Sequence, residues 1–226
     1  MRKPVVDYKK LRPSNITSPE YRHLLLLSGW IVYFILFFLT ENLIPAEKCY
    51  QVEIALDHMI PFCEWFIIPY VGWYLLIVVS LIYFALYNAE NFVRMQKYIM
   101  VTQVIGIAIF IIFPTRQDLR PTEFARDNFL TDIVAFLYSI DTNTGVCPSL
   151  HVAYSLGILS TWLKEKSAHI ISKTFVTVFV ILVCMSVSFI KQHSVVDIFV
   201  AIPVCLLAEV IAFYGFYKEK FKRKNS

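Results

Sequence analysis

The chain has 226 residues, 58% of them hydrophobic, 16% aromatic and only 17% charged, with a mean hydropathy of +0.60. A soluble domain of this size has too little interior to hide so much apolar side chain, which excludes a soluble globular fold. The net charge of +4 reads as anchoring at a membrane face and asks for no nucleic-acid partner.

In chain order, residues 1–23 are polar and basic, and an apolar run over 24–39 follows. No small-residue cleavage pattern comes after that run, and Pro45, Glu47 and Lys48 end it, so a permanent anchor is expected rather than a signal peptide. Residues 47–62 mix Val52, Ile54, Leu56, Met59 and Ile60 with charges, the pattern of a short segment lying on the membrane. Residues 65–87 and 98–114 are free of charge. A long loop, 115–146, contains a predicted amphipathic helix over 129–140, starting after Asp127 and Asn128. The run 146–163 carries only His151 as an ionisable group of consequence, 174–190 is uncharged, and 198–217 contains only Glu209. A spanning helix takes about 20 residues, and these runs are too long for barrel strands. The expected fold is all-α, a bundle of six transmembrane helices over 24–217, with a basic tail at 218–226. Trp65 and Trp162 are placed as interfacial anchors.

Charge bias orients the bundle. The segments 1–23, 88–97, 164–173 and 218–226 hold six, two, three and five Lys or Arg, sixteen of the 21 in the chain. The positive-inside rule puts both termini in the cytoplasm, and the plasma membrane is the expected location. Three polar clusters then share the extracytoplasmic face. Arg116 and Arg120 follow the third run. Ser149 and His151 open the fourth, behind Pro148 in its first turn. Lys191, His193 and Asp197 lie between the fifth and the sixth.

Each cluster has a chemical use. His193 and Asp197 stand four apart, so on one helix they share a face, and the carboxylate can take the Nδ1 proton and leave Nε2 basic. A helix starting near Ser149 aims free amides at an anion beside His151. Arg116 and Arg120 offer forked contacts to phosphate oxygens, and Lys191 a further positive charge.

With these residues the chain resembles the phosphatidic acid phosphatase type 2 superfamily, whose motifs are K-x6-RP, PSGH and SR-x5-H-x3-D. Arg120-Pro121 stands for the RP, Pro148-Ser149-Leu150-His151 for PSGH, and His193 with Asp197 for H-x3-D. Three positions depart from the pattern: Phe113 stands where the family has its first-motif lysine, Leu150 in place of glycine, and Val187 in place of the third-motif arginine. The resemblance implies a metal-independent, cofactor-free lipid phosphatase. His193 attacks phosphorus to form a phosphohistidine, Asp197 steadies it, and His151 protonates the leaving group and then activates water. Arg116, Arg120, Lys191 and the amides around Ser149 and Leu150 hold the phosphate. The displaced cations leave room for an alternative, a headgroup phosphotransferase similar to sphingomyelin synthase or inositol phosphorylceramide synthase. The non-enzymatic alternative is a lipid transporter or binding protein, although transport favours polar groups at the midplane rather than at one end. Expected partners are a lipid phosphate substrate and membrane lipids, with a homodimer left open. Glu209 is expected to pair with another helix, Cys184 and Cys205 to fill helix interiors, and a Cys49–Cys63 pairing stays open.

Overall fold

The structure, a computed structural model, describes residues 4–224. Eight α-helices run in the order α1 (Ser28–Leu43), α2 (Ala55–Met59), α3 (Ile67–Tyr87), α4 (Ala89–Ile112), α5 (Phe129–Ile140), α6 (Leu150–Lys164), α7 (Ile170–Phe189) and α8 (Val195–Lys224). Two short strands, β1 (Tyr50–Gln51) and β2 (Thr115–Arg116), pair in parallel and tie the loop after α1 to the loop after α4.

Local chemistry sets the helix starts. Asn88 caps α4 by accepting from the Asn91 amide, and His169 caps α7 by accepting from that of Ile171. Asn128 caps α5, accepting from Leu130 and Thr131 while the Thr131 hydroxyl accepts from the Asn128 amide. That local signal places α5 over the 129–140 predicted for it. α4 starts earlier than the predicted 98, because Glu90 and Arg94 pair along the helix at 2.5 Å and carry it past its apolar part. The predicted basic tail continues α8 to Lys224, while residues 1–3 and 225–226 lie outside the described residues.

Among the described residues, five helical segments are long and apolar enough to cross a membrane: Arg22–Leu43, Glu64–Tyr87, Ala89–Ile112, Ile170–Phe189 and Val195–Lys222. The remaining predicted run, 146–163, forms α6, which has 15 residues and a length of about 22 Å. It is the central helix, packed on α3, α4, α7 and α8. Gly157 is where α4 comes closest: a Cβ there would lie 2.3 Å from Tyr98 Cδ1. This central position corrects the reading of Trp162 as an interfacial anchor. Its ring is buried against Tyr83 and Phe84, and its Nε1 donates to Ser80 Oγ at 3.0 Å. Trp65, by contrast, is 61% exposed, as expected of an anchor.

Large apolar side chains cover the outer faces of α1, α3, α7 and α8. At the end of the bundle away from the histidines, Glu209 accepts from Lys164 and Ser160, both at 2.6 Å, and from Tyr217 at 2.5 Å, so the expected helix-to-helix pairing is present. All five cysteines are free thiols, Cys49 and Cys63 included.

Candidate active site

The turn between α7 and α8 sets the geometry. Lys191 takes a left-handed conformation with φ 54°, and the amides of Gln192 and His193 both donate to the Val187 carbonyl at 2.9 Å. Ser194 then caps α8, accepting from the Val196 amide at 3.1 Å. Asp197 reaches back: its Oδ2 accepts from the Ser194 amide at 3.0 Å and from His193 Nδ1 at 3.2 Å. Asp197 thus supplies the return half of a capping box to Ser194, and the same carboxylate fixes the histidine tautomer, because a carboxylate only accepts. His193 Nε2 has no hydrogen-bond partner among the described residues.

A residue not singled out in the sequence completes this corner. Asp57 of α2 is 1% exposed; its Oδ1 accepts from the Val195 amide at 2.7 Å, and its Oδ2 from Ser194 Oγ at 2.7 Å and from the Ile54 amide at 2.9 Å. Residues 47–62 thus do more than lie on a surface. Through Asp57 they clamp the start of α8, with Leu56 and Met59 left outside. The only sequence signal was a carboxylate in the first turn of a very short helix.

His151 comes from α6. Ser149, not Pro148, is the N-cap, its Oγ accepting from the Val152 amide at 3.5 Å, so Pro148 precedes the helix rather than sitting in its first turn. The Ser149 amide donates to the Asp197 carbonyl at 3.1 Å, joining the starts of α6 and α8. Leu150, in the glycine position of the motif, fits because α4 carries Gly106 opposite it, where a Cβ would lie 2.9 Å from Leu150 Cδ2. The His151 ring lies between Tyr70 and Trp73, with centroids at 4.5 and 4.2 Å, and its centroid is 5.7 Å from that of His193. Its Nε2 is buried and without a partner among the described residues. Cys147 sits beside Asp197, and burial together with that carboxylate pushes its thiol up to about 12.

The two helix starts differ in a way that matters for an anion. At α8 the first amides are taken by Asp57 and Ser194. At α6 the amides of Leu150 and His151 have no acceptor among the described residues, which leaves two donors beside the histidines.

The structure brings together His151, His193, Asp197, Ser149 and Leu150, but it turns the three expected phosphate cations to other work. Lys191 Nζ donates to the carbonyls of Asp57 at 2.7 Å and Ile60 at 2.6 Å, and burial lowers its pKa against the opposing charge of Asp57. This corrects its placement at the phosphate. Arg120 spends four of its five N–H groups on the carbonyls of Tyr138, Asp141 and Thr142 and on Gln192 Oε1, clamping the C-terminal end of α5. Its Nε alone is left, buried and without a partner among the described residues. Arg116 pairs with Asp118 at 3.3 Å.

Both histidines line a cavity of about 580 Å³ between α1 and α3. Its wall runs from Leu27, just before α1, along that helix through Trp30, Phe34 and Phe37 to Glu41, a run of about 21 Å. Trp73, Tyr74, Ile77 and Leu81 line it from α3, and Asp141, Thr142 and Gln192 close the end beside the histidines. No family model, no curated protein and no solved structure matches the chain.

Proposed function

We propose that the chain is a six-span membrane enzyme that transfers the phosphoryl group of a lipid phosphate to water through a phosphohistidine, at the extracytoplasmic face. The observation that carries this reading is the pair of imidazoles, 5.7 Å apart at one end of a long apolar cavity, with Asp197 orienting one of them. His193 Nε2 attacks phosphorus in line, and Asp197 stabilises the imidazolium character that develops. His151 protonates the departing lipid oxygen and then takes the proton of the incoming water. The open amides of Leu150 and His151 face the oxygens of the transferring group. The apolar cavity takes the hydrocarbon, as a lipid site needs. α6 serves as the sixth span despite its length, because its neighbours rather than lipid surround it. The positive-inside charge pattern supports cytoplasmic termini.

A second reading, transfer of a phospho-headgroup to an alcohol, is favoured by the diversion of Lys191, Arg120 and Arg116 from the site. Both readings share the phosphohistidine. The test is turnover of lipid phosphates by the purified full-length chain in vesicles containing a chelator. Product formation is expected, with His193→Ala abolishing it and His151→Ala lowering it by about 10²-fold or more. An unchanged rate in either variant refutes the assignment.

A further inference from the structure

The charged side chains along the cavity wall are Glu41 and Asp141, both carboxylates, while Arg116, Arg120 and Lys191 contribute nothing to that wall. Glu41, in the last turn of α1, accepts from Thr142 Oγ1 at 2.6 Å through Oε1, and Asp141 Oδ2 accepts from Gln192 Nε2 at 3.2 Å. Each therefore keeps an oxygen in hand. Among the described residues neither carboxylate has a Lys or Arg within 4.0 Å; Arg120, bonded to the Asp141 carbonyl, acts on both only from farther away. Beside them stands His193, 8% exposed and lining the same cavity, with no hydrogen-bond partner for its Nε2 among the described residues. Two carboxylates next to the position of a phosphate repel a dianionic monoester. The arrangement suits a phosphate carrying one negative charge with a cation attached.

We propose, on the basis of the second reading above, in which a phospho-headgroup is transferred through the same phosphohistidine, that the lipid bound here is a phosphodiester with an amine-bearing headgroup, whose ammonium is held by Glu41 and Asp141. The rings of Tyr33, Phe37 and Tyr74 line the cavity near this end and offer π faces to the same ammonium. The positions of the histidines decide which bond breaks. His151 lies on the apolar side, wedged by Tyr70 and Trp73, whereas His193 adjoins Gln192 and Asp141. His193 Nε2 therefore bonds to phosphorus as the bond to the lipid oxygen breaks, and protonated His151 gives that oxygen its proton. A neutral lipid alcohol leaves down the cavity. The phospho-headgroup stays on His193, its ammonium between the carboxylates. An incoming hydroxyl, from water or an alcohol, then gives its proton to His151 and takes phosphorus, which restores both imidazoles.

The experiment uses full-length protein in vesicles carrying four lipids with identical acyl chains: phosphatidate, phosphatidylglycerol, phosphatidylethanolamine and phosphatidylcholine. Diacylglycerol formation is read for each. The amine-headed pair is expected to be consumed about tenfold or more faster than phosphatidylglycerol, which has the same phosphodiester and no cation. In Glu41→Gln/Asp141→Asn that ratio is expected to fall about tenfold. Because the ratio is taken within one preparation, it does not depend on the folded fraction. A preference for phosphatidate or phosphatidylglycerol, or a ratio that survives the double substitution, overturns the inference and leaves phosphotransfer standing. No product from any of the four lipids refutes the phosphotransfer reading itself.

Discussion

Asp57→Asn isolates the clamp that holds the start of α8. The substitution keeps the shape but exchanges one acceptor oxygen for an NH2 group. If the remaining oxygen faces the Val195 amide, the new NH2 meets Ser194 Oγ, which can turn to accept, and the Ile54 amide, which cannot. One buried backbone donor then loses its acceptor, at about 1–3 kcal/mol, and two charge-assisted bonds become neutral ones, each about 1 kcal/mol weaker. A total of about 3–5 kcal/mol is expected. It falls on the segment that carries His193 and Asp197. The assay is a thermal melt of detergent-solubilised protein alongside lipid turnover in vesicles. The melt should shift down by about 6–20 °C, and turnover at saturating lipid should fall in the fraction that remains folded. A melt and a rate both equal to wild type would show that the Asp57 bonds position nothing, and the account of this corner would be wrong.

Further outcomes follow from neighbouring groups. Asp197→Asn keeps one acceptor for His193 but removes the charge that stabilises its imidazolium, so turnover should drop by about 10²–10⁴-fold with little change in lipid binding, measured by single-turnover kinetics. Gly157→Ala places a methyl group 2.3 Å from Tyr98 Cδ1, and separating α4 from α6 should cost about 1–3 kcal/mol, read as a lower melting temperature. Burial raises the Asp141 carboxyl above its ordinary range, against the lowering charges of Arg120 and His193. Asp141 therefore carries its charge above that raised pKa and loses it as pH falls through it. The preference for amine-headed lipids should weaken on acidification at a higher pH than an ordinary carboxylate would set, and in Asp141→Asn that pH dependence should diminish.

The sequence disclosed most where the physics is local. α5 was placed to the residue because Asn128 and Thr131 cap it through contacts three residues apart. The His193–Asp197 pair was legible for the same reason: four residues is one helical turn, and both sit at a helix start. What stayed hidden depends on partners far along the chain. Lys191 looked like a phosphate ligand because its side chain advertises a charge, while the carbonyls that capture it belong to a segment 131–134 residues earlier and carry no side-chain signal. Arg120 is held in the same way by carbonyls at the end of α5. Asp57 escaped notice because its acceptors serve Ser194 and Val195 across the fold. Trp162 was misplaced because hydropathy reports that a run is apolar but not that it is the middle helix. The length of α6 was hidden likewise, since a helix enclosed by its neighbours does not need the length that a lipid-facing one does.

That enclosure has a consequence for how the two imidazoles sit in the bilayer. A helix bathed in lipid tilts or shifts when the hydrocarbon thickness changes. α6 answers instead to the protein packed around it, and the backbone bond from Ser149 to Asp197 couples its start to that of α8. The depth of His151 is thereby set from within the molecule. Lengthening or shortening the acyl chains of the host membrane should strain the outer helices first and leave the spacing of the histidine pair as it was.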